Sequence, residues 1–252
     1  MDQFILPSTF RWEPSEKPNE ATLVIEPCFF GYGTTLGNAL RRVLLASLEG
    51  AAVTAVKIDG VTHEFTAIEG VQEDVIQLML NLKLLRLKIF SDEPVRLVLE
   101  ADGKKVVTAG DITPQSDVEI VNPDLVLATL TDGHSKIRME IFAQRGRGHS
   151  STDARGKERN ELGLIAIDAV YTPVRTVGFR VENTRVGETT NYDRLTLTVE
   201  TDGTITPEES VQRASRILID HFALILDPEA SETSAGDEEP AVDEEDGSQQ
   251  EE

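Results

Sequence analysis

The residues best placed to do chemistry are Gly31, Gly33 and Gly37, which stand between an expected strand and an expected helix, with Asp59 closing the next expected strand. Glycines in such a turn let backbone amides approach a pyrophosphate, and an acid about 20 residues further on can hold a ribose, so the pattern reads as a dinucleotide site. The spacing is nevertheless G-x-G-x-x-x-G, with Leu36 where a third glycine belongs, and the strands after Asp59 read as hairpins instead of helix crossovers. The same glycines would also shape a turn and let a helix sit close to its neighbour. The next candidate is the basic loop Arg145-Gly146-Arg147-Gly148, read either as a solvated hairpin exit or as a backbone contact to nucleic acid or an acidic partner. The chain has no Gly-x-Ser-x-Gly elbow, P-loop or His-Glu-x-x-His motif. His63, His134, His149 and His221 are scattered without metal-ligand spacing, and the single Cys28 excludes an internal disulfide.

Charge narrows the classes further. Against 24 Lys and Arg stand 45 Asp and Glu, a net of -21, which opposes gripping nucleic acid over most of the surface. Twelve of those acids lie between Asp227 and Glu252, where there is no base, so the remainder carries 33 acids against 24 bases, a net of -9. The acidic stretch has no aromatic residue and is expected to be disordered. No apolar run approaches the roughly 18 to 20 residues of a membrane span, and the N-terminus lacks the basic and apolar zones of a signal peptide. A cytoplasmic protein that does not enter a membrane is the expectation.

The elements that must position these residues follow from periodicity and punctuation. Residues 19 to 28 read as a strand closed by Pro27, and a helix is expected from Thr34 or Thr35, capped by either hydroxyl. Residues 51 to 59 and 61 to 68 predict a hairpin around Asp59-Gly60, and a helix is expected from Val71 to Leu82, with Glu73 and Asp74 at its start. Period-two runs then continue to Gln144, with hairpin turns at Asp102-Gly103 and Asp132-Gly133, and residues 146 to 160 predict a long mobile loop. Strands resume from Leu164 to Gly203. A last helix is announced by Thr206 at the N-cap, Pro207 at N1 and Glu209 at N3. Few helices, with strands clustered between them in hairpin-like pairs, point to α+β with mostly antiparallel sheets.

Two helices carry more apolar surface than one core needs. On the first, Leu36, Leu40, Val43, Leu44 and Leu48 gather on one side, while Leu45 lies among Asn38, Arg41 and Arg42 on the other. That outer side is either an ordinary solvated face or a partner surface, where arginine beside an apolar anchor is a typical pairing. On the last helix, Val211, Ala214, Ile217, Leu218, Ile219, Phe222, Leu224, Ile225 and Leu226 span well over half of the wheel. It is either a central core helix or one whose extra face packs on a second copy of the chain.

The runs GYGTTLGNALRRVLLASLEGAAVTAVKIDGVTHEF at 31 to 65 and EGVQEDVIQLMLNLK at 69 to 83 closely resemble the N-terminal region of the bacterial RNA polymerase alpha subunit. So do DVEIVNPD at 117 to 124, QRGRGH at 144 to 149, IDAVYTPV at 167 to 174 and DGTITPEESVQRAS at 202 to 215. The likeness is collinear over roughly residues 1 to 228 and weakest at 150 to 162. It implies a homodimeric, non-catalytic scaffold that nucleates assembly of the beta and beta-prime subunits for DNA-templated RNA synthesis, with omega and sigma joining the holoenzyme. By the same resemblance, residues 1 to 49 and 172 to 228 form a dimerisation domain, 50 to 171 an inserted β-rich domain, and 229 to 252 an acidic linker. Leu36, Leu40, Val43, Leu44, Ile217, Leu218, Phe222 and Ile225 are then expected at the dimer interface. Arg42, Leu45, Lys83 and Ile167 are expected at large-subunit contacts. No cofactor is expected in this chain, since the family's magnesium belongs to beta-prime, and DNA contact is indirect. The chain stops at Glu252 within what resembles the family's linker, so the family's C-terminal DNA-binding domain is expected to be absent. The alternative remains a nucleotide-binding enzyme using the Gly31, Gly33 and Gly37 turn.

Overall fold

Strict alternation of apolar and polar side chains from Leu195 to Val199 makes a strand with one dry face, and the whole molecule is organised around two sheets of this kind. The computed structural model describes residues 5–152, 163–187 and 189–226. In chain order the elements are β1 (Thr9–Pro14), β2 (Glu20–Cys28), α1 (Tyr32–Ala46), β3 (Glu49–Ile58), α2 (Val75–Lys83), β4 (Leu87–Ile89), β5 (Val95–Asp102), β6 (Val106–Thr108) and β7 (Val118–Ile120). They continue as β8 (Val126–Thr129), β9 (Lys136–Arg147), β10 (His149–Ser150), β11 (Leu164–Ala166), β12 (Ala169–Val170), β13 (Val174–Val186), β14 (Thr189–Thr201) and α3 (Pro207–Leu226). Every strand pairing among the described residues is antiparallel, and the fold is α+β.

The first sheet runs β1-β2-β14-β13, so the two ends of the chain build it together. Leu195, Leu197 and Val199 of β14, with Leu23 and Ile25 of β2, meet Leu40, Leu44 and Leu48 from α1 and its C-terminal flank and Val211 and Ala214 of α3 in one core. The second sheet runs β11-β3-β9-β5 and has its own core, closed by Val75, Leu78 and Leu82 of α2. The spacing of those three residues puts them on one helix face.

Several local expectations change. Helix α1 begins at Tyr32, before Thr34 and Thr35, with Gly31 at its N-cap in the left-handed conformation (φ 80°) and no side-chain cap of its own. Residues 61 to 68 are not a strand, because β3 already has β9 on one side and β11 on the other. Helix α2 starts at Val75, where the Asp74 carboxylate accepts the Gln77 N–H at 2.7 Å; Glu73 instead accepts from the Thr129 N–H and hydroxyl. Asp102-Gly103 and Asp132-Gly133 do not join paired strands. They lie side by side where β5 and β9 end their pairing at Asp102 and Lys136, and Gly103 N–H donates to Ser135 O at 3.0 Å. Within the predicted loop 146 to 160, β9 extends to Arg147 and β10 follows, while 153 to 160 lies outside the described residues, as does the predicted acidic tail.

Glycine sets the distance between α1 and its sheet. A Cβ on Gly37 would stand 2.6 Å from Phe179 Cδ2, and one on Gly33 2.9 Å from Val181 Cγ1. Alanine in a helix interior gains about 1 kcal/mol over glycine, but overpacking costs about 1–3 kcal/mol, so the steric term wins at Gly37. Gly37→Ala is therefore expected to lower the urea midpoint, and adding Phe179→Leu is expected to restore part of the loss. An unchanged or raised midpoint in the single variant would show that the helix does not rest this closely.

Candidate subunit interface

The glycine turn is an anion site already filled by the chain itself. Gly33 N–H donates to Asp193 Oδ2 at 3.1 Å, which puts a carboxylate from β14 at the positive end of α1. Asp193 is 5% exposed and Gly33 is buried, so the amide that Asp193 caps is closed to a solvent-borne ligand, although Gly31, Tyr32, Thr34 and Thr35 around it are exposed. Strands β2 and β3, which a dinucleotide fold would place side by side and parallel, belong to different sheets. The Gly31, Gly33 and Gly37 turn thus seats a helix, and the nucleotide-binding reading is not supported. Cys28, buried nearby, has its thiol pKa pushed up by burial first and by the Asp193 charge second, which leaves it in the thiol form.

The Arg145-Gly146-Arg147-Gly148 run is also structural in its first half. Arg145 reaches Asp92 at 2.7 Å and Glu49 at 2.9 Å, and a Cβ on Gly146 would strike the Tyr171 ring at 2.8 Å. The glycine makes room for a tyrosine lying over β9.

Of the helix residues singled out from the wheel, α1 supplies two kinds. Leu40 and Leu44 are buried against their own sheet, Leu44 completely, because the glycine contacts turn that face inward. Leu36 and Val43 are partly covered, and so are Ile217 and Leu218 of α3. Phe222 is 59% exposed and Ile225 73%, and with Ile219, Leu224 and Leu226 they form an apolar helix end that no other element covers among the described residues. Within this chain α3 is therefore not a central core helix. Arg42 is exposed on α1 and, among the described residues, forms no ion pair; Leu45 beside it is half-buried.

The two remaining positions differ in kind. Lys83, ending α2, is 3.4 Å from Asp168 Oδ2. Ile167 is 0% exposed inside the second core, so its expected contact with a partner is corrected: it supports the segment that carries Asp168 and is not itself available. Sequence reasoning missed an apolar stripe on the outer side of α2, where Ile76, Leu80 and Leu84 are exposed. The signal was there in the near-continuous VIQLMLNLKLL, too apolar for a helix with a single buried face.

Residues 56–172, just under half of the chain, match the RNA polymerase Rpb3/RpoA insert domain. The matched span takes in most of the second sheet and α2. It supports an RNA polymerase subunit of the alpha or Rpb3 type, and with it membership of a DNA-directed, nucleotidyl-transferring assembly.

Two predictions follow from these contacts. Removing the Asp193 carboxylate leaves the Gly33 amide buried without its acceptor, so Asp193→Ala should cost about 1–2 kcal/mol in urea unfolding and Asp193→Asn less. Equal stability in all three proteins would disprove the capping role. Asp168 has its pKa held below the ordinary carboxylate range, chiefly by the Thr152 N–H and further by Lys83. Its stabilising contribution is complete above the unfolded value of about 4 and is lost as pH falls through the lower folded value. The melting-temperature gap between the parent protein and Asp168→Asn should accordingly close on acidification below pH of about 4, and a constant gap would count against it.

Proposed function

We propose that this chain is the alpha-type subunit of a bacterial DNA-dependent RNA polymerase and acts as a homodimeric scaffold for the beta and beta-prime subunits. The observation that carries the reading is the match of residues 56–172 to the polymerase insert domain. The apolar end of α3 supports the dimer: Phe222 and Ile225 leave large side chains in water that a second copy's α1 and α3 would cover. Such an interface is isologous, and the partly covered Leu36, Val43, Ile217 and Leu218 would complete it, while Leu40 and Leu44 lie beneath them in this chain's own core and are not themselves available to the second copy.

In this reading the domain division is 1–49 with 172–228 for dimerisation and 50–171 for the insert, in keeping with two separate cores. The large subunits meet Arg42 and Leu45 on α1 and Lys83 at the end of α2. The dimer carries two copies of each site, so one copy serves beta and the other beta-prime. Joining both to one preformed dimer replaces an encounter in bulk solution by one at high effective concentration. The chain holds no catalytic magnesium, touches DNA only through the assembled enzyme with its omega and sigma subunits, and works in the cytoplasm.

Two variants separate the dimer from recruitment. Ile225→Asp, which puts a charge into the proposed interface, should shift the light-scattering mass at micromolar concentration from a dimer toward the 27.7 kDa of one chain. Arg42→Ala should keep the dimer mass but reduce capture of beta at least tenfold, as expected for an arginine anchor worth about 1.4 kcal/mol or more. A monomeric parent protein, or undiminished capture of beta by Arg42→Ala, would contradict the proposal.

A further inference from the structure

Where the two cores meet, a largely buried cation bridges them. Arg86 lies between α2 and β4, and its backbone is fixed on the second-sheet side: its N–H donates to Asn122 Oδ1 at 2.8 Å and its carbonyl accepts the Val121 N–H at 2.9 Å. Its guanidinium leaves that unit and stands 3.6 Å from Asp202 Oδ2, just beyond β14 of the first sheet. Asp202 is fixed just as firmly on its own side. Its N–H donates to Pro173 O at 2.9 Å, and its Oδ1 accepts the Thr204 N–H at 2.9 Å and hydroxyl at 2.6 Å, which leaves Oδ2 for the arginine. Beside the pair, Gly203 (φ 93°) lets the backbone approach so closely that a Cβ there would lie 3.1 Å from Asn19 Nδ2 and 3.5 Å from Val121 Cγ1.

This contact is poorly suited to adding stability. Arg86 Nε is buried and finds no acceptor among the described residues, and burial followed by the like charge of Arg175 lowers the guanidinium pKa. A desolvated pair with an unmet donor commonly gives no more stability than apolar side chains of the same size, whereas it does impose direction. Both partners are anchored by their backbones, so the pair can meet at one relative orientation of the two units.

We propose that Arg86 and Asp202 are positioning residues whose contact sets the angle between the two sheet units. By fixing that angle they fix the spacing between the Arg42 face of α1 and the Ile76, Leu80 and Leu84 stripe of α2. The importance of that spacing for assembly rests on the proposed function; the joint itself does not.

The test uses the full chain with Arg86→Met, which keeps an apolar stem, Asp202→Asn, which keeps an acceptor for Thr204, and the two combined. Hydrogen exchange read by mass spectrometry should quicken about tenfold at the amides of Val121 and Asp202 in each single variant, while peptides within α1 and α2 stay protected. The double variant should exceed neither single by more than about twofold, because one contact is being broken. Small-angle scattering should broaden at large distances in the same proteins. Unchanged exchange at the joint would overturn the proposal, and so would a rise spread evenly through both cores, which would mark a general stabilising role, or multiplied effects in the double variant. None of these readouts involves a large subunit, so their failure is distinct from failure of the assembly reading.

Discussion

Helix α1 rests on its sheet at a separation that leaves no room for a Cβ at Gly33 or Gly37, and most of what surrounds it depends on that approach. The Asp193 carboxylate reaches the free amide of Gly33 only because the helix start lies against β14. The same approach turns Leu40 and Leu44 into the sheet core and leaves Arg42 on the far side. An anion site that would take a phosphate in another fold is filled here by the protein's own acid. The glycines serve close packing, and the face they leave outward carries Arg41 and Arg42 in solvent.

Apolar surface left after folding is spread over several segments, Phe10, Phe30, Phe65 and Phe90 among them, but on two helices it is contiguous. The two cores close over their sheets, yet the C-terminal half of α3 and the outer stripe of α2 keep large side chains in water. Scattered exposed leucines are ordinary, whereas contiguous helical faces of this kind are what the proposed assembly would cover. The first sheet, built from both ends of the sequence, holds α1 and α3 together, and the segment matching the polymerase insert domain is held at the Arg86 and Asp202 joint. In the proposed assembly the acidic composition is therefore compatible with work on DNA, since the binding surfaces of this chain meet protein.

Local signals carried far in the sequence. Thr206 does cap α3, with its hydroxyl accepting the Glu209 N–H at 3.1 Å, and the alternation of β14 and the breadth of the α3 apolar face were both readable. What was not readable is what depends on chain-distant partners. Asp193 lies 160 residues from the amide it caps, and Tyr171 is the reason for Gly146. The segment from Val61 to Ile68 had the pattern of a strand, but the edges of β3 were taken by β9 and β11. The burial of Ile167, by contrast, follows the alternation of its own segment, with Ile165, Ile167 and Ala169 buried and Ala166, Asp168 and Val170 more exposed, a period that LIAIDAV already carries. The Asp-Gly dipeptides mark changes of chain direction, but the hairpins expected at Asp59-Gly60, Asp102-Gly103 and Asp132-Gly133 do not form, because the strands that follow find partners elsewhere or are absent.

The most direct measurement is native mass spectrometry of the chain reconstituted with beta and beta-prime. A complex holding two copies of this chain with one beta and one beta-prime is the predicted result. A complex with a single copy, or no complex with either large subunit, would contradict the account.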